Sequence, residues 1–144
     1  MITARDIMHG GAKCVDANDT LLNASRMMRD MGVGALPICG EDKKLKGIIT
    51  DRDIVTRCIA EGRDPATMKA MELSGHLHCV RADDDIDMVL KKMEQHQIRR
   101  IPVIDNEMIV GMISEADIAH GHREGNRLTD RQILEFMDSI YVNR

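Results

Sequence analysis

The sequence contains an internal repeat with a period of about 65 residues. Residues 36–38 return as residues 101–103, which is 65 positions later, and residues 47–54 return as residues 111–118 at a distance of 64. The one-residue difference falls near the charged stretch 40–44, where a loop accepts a change of length at low cost. Because 144 residues are too few for two ordinary independent domains, the repeat predicts two small units that share their core.

Each copy of the repeat predicts the same order of elements, β-α-β-β-α. Short apolar runs at Cys14-Val15 and Cys79-Val80 indicate brief strands, and each is followed by a helix with apolar residues at helical spacing. These helical stripes are Leu21, Ala24, Met28 and Met31 in the first copy, and Ile86, Val89, Leu90 and Met93 in the second. Hairpin strands are expected at residues 35–39, 45–49, 100–104 and 109–113. The last helix of each copy is expected to open at Thr50 or Ser114.

Pro37 and Pro102 occupy equivalent positions in two of these predicted strands. Proline has no N–H group to donate to a neighbouring strand. We therefore expect each proline at the start of its strand or on an edge strand.

The predicted organisation is two repeats, 1–64 and 65–125, followed by a helical tail at 126–144. The fold class is α/β, with the two βαββα units packed sheet to sheet. In the tail, Thr129 and Gln132 form a capping-box pattern, and the apolar face of the helix comprises Ile133, Met137, Ile140 and Tyr141. This face covers either its own domain or a second subunit.

A short motif, glycine, two apolar residues, a hydroxyl residue, two variable residues and aspartate, occurs at residues 47–53 and again at 111–117. A hydroxyl residue followed three positions later by an acid is a helix-capping pattern, which is the simplest interpretation of either copy alone. The same strand-to-helix turn exposes free N–H groups that attract a phosphate. A carboxylate one turn further on can accept hydrogen bonds from ribose hydroxyls. A sugar phosphate satisfies both groups.

These motifs, with residues 32–38 and 97–103, resemble the tandem cystathionine-β-synthase-type repeat, the CBS pair or Bateman module, over residues 4–120. The resemblance implies pseudo-twofold symmetry, homodimerisation and clefts for AMP, ADP, ATP or S-adenosylmethionine, with no obligatory cofactor. A module of this length without an attached enzyme is similar to the short stress-induced CBS proteins of bacteria, including hypoxic-response proteins. Carried over by position, Thr50, Asp53, Ser114 and Asp117 hold ribose and phosphate, and the base contacts the strand backbone near Val15 or Val80.

Arginines are distributed unequally between the two copies. Arg99 and Arg100 correspond to Gly34 and Ala35, while Arg52 corresponds to Ala116. A cation beside a phosphate forms a strong, charge-assisted hydrogen bond. We therefore count Arg52, Arg99 and Arg100 as candidate ligand residues and expect the two clefts to differ in affinity.

Cys14 and Cys39 lie in neighbouring predicted strands of the first copy, whereas the second copy has Cys79 opposite Ile104. The pair is interpreted either as two buried thiols that act as small apolar groups or as a disulfide. Resemblance to the short hypoxia-type proteins favours considering the bond, which closes a loop of about 25 residues.

Composition excludes several other classes of function. A net charge of −4 without basic blocks argues against nucleic acid, and the only aromatic residues are Phe136 and Tyr141. No apolar window reaches the length of a membrane span, and the first residues contain no apolar signal run, so we expect a cytoplasmic protein. No catalytic motif or closed zinc-ligand spacing is present. The predicted function is a non-enzymatic nucleotide sensor that acts on an unknown protein partner; the alternative is a ligand-free structural or redox-responsive protein.

Overall fold

The computed structural model describes residues 1–75, 77–123 and 128–141. The chain divides into two compact units. The first-repeat unit comprises Ala12–His78 and Asn106–Ile109, and the second-repeat unit comprises Met1–Gly11, Cys79–Asp105 and Val110–Arg144. No helix within the described ranges has the length and apolar character needed to cross a membrane.

The first-repeat unit is built on a three-stranded sheet of order β2-β3-β4. The strands are β2 (Val15–Asp16), β3 (Ala35–Cys39) and β4 (Leu45–Thr50), with β2 parallel and β4 antiparallel to β3. The helices are α2 (Leu21–Met31), α3 (Asp51–Ile54), which continues as a π-helical turn over Val55–Ile59, and α4 (Ala70–Leu73). The predicted hairpin and both main helices of this copy are confirmed.

Helix α2 forms where the sequence predicts it because both of its ends are capped. The Thr20 side chain accepts a hydrogen bond from the Asn23 N–H, and the helix ends at Gly32 with φ of 66°. Three of the four predicted stripe residues, Leu21, Ala24 and Met28, are buried, whereas Met31 in the last turn is exposed. The stripe therefore packs into the core up to its final turn.

The expected position of Pro37 and Pro102 is wrong. Each is the third residue of its strand, and β3 is the central strand of its sheet, as β6 is an interior strand of the other. The neighbouring strand on one side is only two residues long and pairs first with the residue after the proline, Ile38 or Val103. Because that neighbour does not extend to the proline, the missing N–H leaves no partner unsatisfied there.

The second-repeat unit repeats this arrangement on a four-stranded sheet of order β1-β7-β6-β5. Its elements are α1 (Ala4–Ile7), β1 (His9–Gly10), β5 (Val80–Arg81), α5 (Ile86–His96), β6 (Arg100–Asp105), β7 (Met108–Ser114), α6 (Glu115–Arg123) and α7 (Asp130–Tyr141). The four predicted stripe residues of α5 are all buried. Strand β1 is an addition that the repeat did not predict.

The residues that precede each copy dock in an equivalent way. The Ala4 N–H donates to the Asp84 carbonyl, and the Ala70 N–H donates to the Asp19 carbonyl. Helices α1 and α4 therefore correspond. Helix α1 precedes the first repeat in the sequence but packs in the second-repeat unit, and helix α4 precedes the second repeat but packs in the first-repeat unit. As a result, residues 1–11 belong to the second-repeat unit.

Helix α7 packs against its own unit. Phe136 and Ile140 are buried in the same cluster as Val89, Met93 and Ile101, and Leu128 is buried just before the helix. Tyr141 is exposed. Of the two partners left open by the sequence, the structure shows the helix covering its own domain.

Candidate functional site

Both copies of the duplicated motif form reciprocal caps. In the first copy, the Asp53 N–H donates to Thr50 Oγ1 at 3.1 Å, and the Thr50 N–H donates to Asp53 Oδ2 at 3.0 Å. In the second, the Ser114 N–H and hydroxyl donate to Asp117 Oδ2 at 2.8 and 2.9 Å, and the Asp117 N–H donates to Ser114 Oγ at 3.3 Å. The capping interpretation therefore describes both turns, and what differs is what lies beside each aspartate.

Asp117 borders a cavity in the second-repeat unit. The cavity has a volume of about 430 Å³ and is lined by Asp6, Ile7, Met8, His9, Asp117, His120 and Gly121. Small-molecule sites commonly have volumes of about 300–1,000 Å³. The carboxylate of Asp117, with 18% of its side chain exposed, supplies a polar wall to a space of suitable size.

His9 reaches the same carboxylate from the N-terminal strand. Its Nδ1 lies 2.7 Å from Asp117 Oδ2. The approach depends on Gly111, because a Cβ atom there would lie 2.7 Å from the His9 carbonyl oxygen and 2.6 Å from Met8 Sδ. Strand β1 then pairs with β7, His9 opposite Met112. The motif glycine thus brings the N-terminal segment to the cavity wall.

The first-repeat aspartate has a different neighbour. Arg57 lies one helical turn after Asp53, with its Nη1 atom 4.0 Å from Asp53 Oδ1. The same Nη1 donates to the Leu73 carbonyl at 2.5 Å. A cavity of about 270 Å³ in this unit is lined by Ser25, Met28, Arg29, Val33, Asp51, Ile54 and Val55. Thr50 and Asp53 are not among its lining residues.

The two candidate base-contact residues lie inside the hydrophobic cores. Val15 and Val80 have buried side chains, on β2 and β5. Their strands pair with β3 and β6, Val15 opposite Ile38 and Val80 opposite Val103. Neither valine lines one of the two cavities described above.

The candidate arginines are not among the lining residues of either cavity. Arg52 and Arg100 are exposed. Arg99 lies over the Tyr141 ring at 4.7 Å, and its Nε is 3.9 Å from Glu115 Oε1. The hydrogen bond from the Tyr141 hydroxyl to Glu115 raises the pKa of that hydroxyl. Arg99 therefore joins α7 to α6 within its own unit.

Sequence reasoning missed Asp6, His9 and His120 as cavity residues. Asp6 is the acid of the α1 capping box, and His9 lies before the first copy of the repeat. The signal that could have found them is the correspondence of α1 with α4, because it assigns the residues before the first copy to the unit of the second.

The structure contains a disulfide between Cys14 and Cys39, with 5.5 Å between the two Cα atoms. It joins the residue before β2 to the end of β3. Cys58 is a buried free cysteine, and Cys79 is half-buried. Of the two interpretations of the first pair, the geometry fits the bonded one.

No group of three or more His, Cys, Asp or Glu side chains suited to a metal ion occurs within the described part of the chain. His76 and the side chain of His122 lie outside the described residues.

Comparison with known proteins identifies the family. The family model for the CBS domain matches residues 4–59 and 71–123. The chain belongs to the CBS-domain family. The two matched segments correspond to the two copies of the repeat, so the predicted tandem CBS pair with an α/β fold and a C-terminal helix is confirmed.

A relative of this CBS pair is hypoxic response protein 1 of Mycobacterium tuberculosis, 45% identical over 141 residues that cover 97% of this chain and 94% of the relative. A crystal structure of hypoxic response protein I with two coordinated zinc ions has a TM-score of 0.78 and 49% identity, covering 83% of this chain and 98% of that one. The described residues offer no matching group of metal ligands. The sequence identity and the TM-score confirm the likeness to stand-alone hypoxic-response CBS proteins.

A second similar structure holds adenosine compounds. The CBS pair of protein MJ0100, in complex with 5′-methylthioadenosine and S-adenosyl-L-methionine, has a TM-score of 0.74 and 26% identity. The structural match covers 83% of this chain and 94% of the MJ0100 chain.

Proposed function

We propose that this CBS pair is a non-enzymatic regulatory module that binds an adenosine-type ligand, AMP, ADP, ATP or S-adenosylmethionine, in the cavity of the second-repeat unit. The observation that carries the proposal is the Asp117 carboxylate on the wall of a cavity of about 430 Å³. The adenosine compounds bound by the MJ0100 pair support the choice of ligand class.

Asp117 keeps capacity for a ligand although it caps a helix. Its hydrogen bonds with Ser114 and His9 all reach Oδ2. An ionised carboxylate has about four acceptor positions on two oxygens, so Oδ1 can accept hydrogen bonds from ribose hydroxyls. Helix α6 begins beside it at Glu115, and its N-terminal dipole favours a negatively charged group on the ligand.

The same geometry offers a route to regulation. The cavity is lined both by the N-terminal segment, through Ile7 to His9, and by helix α6, through Asp117 to Gly121. A ligand that contacts both segments favours the packing in which both are in place, and a ligand shifts an equilibrium only through such differential affinity. We propose that a protein partner reads this packing change. The homodimer and the cytoplasmic location stay predictions from the sequence.

Isothermal titration calorimetry with AMP, ATP and S-adenosylmethionine tests the proposal. Asp117→Asn keeps a side-chain oxygen to accept from Ser114 but removes the charge, so at least one compound that binds the wild type should bind at least about tenfold more weakly. Asp83→Asn, at an exposed position of the same unit, removes the same charge and should leave binding unchanged. Equal affinities for wild type and Asp117→Asn would contradict the assignment.

The Cys14–Cys39 disulfide favours a second candidate function, a ligand-free structural or redox-responsive interaction protein. The bond joins two elements of one sheet, so its oxidation state bears on the stability of the first-repeat unit. This alternative predicts no heat of binding with any of the three compounds and a stability that depends on reductant.

A further inference from the structure

The two units can be compared position by position around their aspartates. In the second-repeat unit, Ile7, Asp117 and Gly121 border the cavity. The equivalent residues of the first-repeat unit are Leu73, Asp53 and Arg57, because α1 corresponds to α4 and residues 111–118 correspond to residues 47–54. The largest chemical difference between the two sets is arginine at the position of Gly121.

Arg57 occupies this equivalent position with its own side chain. Its guanidinium group donates to the Leu73 carbonyl and lies 4.0 Å from Asp53 Oδ1. A cation between the aspartate and the end of α4 fills the polar partners that a ribose would use in the other unit. The guanidinium therefore acts as an internal occupant of the first-repeat position.

Gly121 keeps the second-repeat position open. A Cβ atom at Gly121 would lie 3.0 Å from Ile7 Cδ1 and 3.3 Å from Leu128 Cδ1, so helix α6 packs tightly against its neighbours at this point. A long side chain has no room there without a shift of these residues. At the position that corresponds to Arg57, the second-repeat unit therefore places no side chain beside Asp117.

We propose that Arg57 closes the first-repeat position and that each chain consequently binds one adenosine-type ligand, in the second-repeat unit. This inference rests on the proposed function, since it assumes that Asp117 contacts the ligand. On this proposal, the residue that makes the two clefts unequal is Arg57, and not Arg52, Arg99 or Arg100 as the sequence suggested.

The stoichiometry of AMP and S-adenosylmethionine binding, measured by calorimetry, tests the proposal. The wild type should bind one molecule per chain, Asp117→Asn should bind it at least about tenfold more weakly, and Asp53→Asn should keep it. Arg57→Ala should bind two, and adding Asp53→Asn to Arg57→Ala should return the number to one. Arg26→Ala, which removes an exposed arginine of the same unit, should still bind one.

Two molecules per wild-type chain, or no additional site in a folded Arg57→Ala variant compared with the wild type, would overturn the proposal. If Arg57 only caps the end of α4, Arg57→Ala lowers the unfolding temperature without adding a site. Should Arg57→Ala not fold, the wild-type stoichiometry and the effect of Asp53→Asn decide the question. Absence of binding to the wild type refutes the proposed function; binding to Arg57→Ala alone would still support Arg57 as the occupant, and binding to neither would refute both.

Discussion

His9 Nδ1 and Asp117 Oδ2 lie 2.7 Å apart, although the two residues are separated by 108 positions in the sequence. The contact fixes the N-terminal strand to the carboxylate that caps helix α6. One acidic side chain therefore stabilises a helix, holds the N-terminal segment and faces a cavity.

Asp117→Ala should lower the free energy of unfolding by about 1–2 kcal/mol, because the Ser114 N–H and hydroxyl lose their acceptor. His9→Ala should cost less than about 1 kcal/mol, because 54% of the His9 side chain is exposed and an exposed ion pair contributes little. Urea unfolding of both variants measures the difference. A larger loss of unfolding free energy for His9→Ala than for Asp117→Ala would contradict the role of Asp117 as the cap of helix α6.

Gly47→Ala should destabilise the chain by about 1–3 kcal/mol through overpacking, because the new Cβ atom would lie 1.9 Å from Ser74 Oγ. Adding Ser74→Gly removes the obstructing atoms and should recover most of that loss. Gly111→Ala meets the His9 backbone carbonyl at 2.7 Å, so Met8→Gly should not rescue it. Chemical denaturation of these single and double variants checks the contrast; equal rescue in both units would be inconsistent with the two packing arrangements.

Phe136→Ala should cost about 3–5 kcal/mol, because the ring is completely buried in the core of the second-repeat unit. Leu134→Ala, on the same helix with 63% of the residue exposed, should change the unfolding free energy by less than about 0.5 kcal/mol. Thermal unfolding at two protein concentrations separates this effect from dimerisation. A cost for Phe136→Ala that vanishes in the monomer would place the helix on a second subunit.

Reduction of the Cys14–Cys39 disulfide should lower the free energy of unfolding by about 3 kcal/mol, since the bond closes a loop with a sequence separation of 25. Cys14→Ser should show the same loss without reductant, and Cys79→Ser should not. Intact mass after thiol alkylation reports the bond directly. Four alkylated cysteines in protein prepared without reductant would argue that the bond does not form.

Local patterns predicted much of the fold. The stripes of α2 and α5 were readable because apolar residues at helical spacing face one core, and the capped ends at Thr20 and Gly32 mark where α2 begins and ends. Pro37 was misplaced because the length of the neighbouring strand, which decides whether a missing N–H matters, is not a property of the local sequence.

The candidate site was less predictable, because it depends on contacts distant in sequence. The motif identified Asp117, yet His9 and Asp6 reach the cavity only through the pairing of β1 with β7. The sequence did not indicate Arg57, because its role depends on its contact with the Leu73 carbonyl. That contact becomes informative only beside Gly121, the equivalent residue of the other unit. The unequal distribution of arginines between the two copies indicated Arg99, which in the structure contacts Tyr141 and Glu115.

A crystal structure of the protein grown with S-adenosylmethionine or AMP would show directly whether the cavity beside Asp117 is the ligand site. We expect ligand density in the cavity beside Asp117, with a ribose hydroxyl within hydrogen-bond distance of its carboxylate, while Arg57 still contacts the Leu73 carbonyl. Ligand density beside Asp53 with Arg57 displaced, or an empty cavity beside Asp117 at saturating ligand, would contradict it.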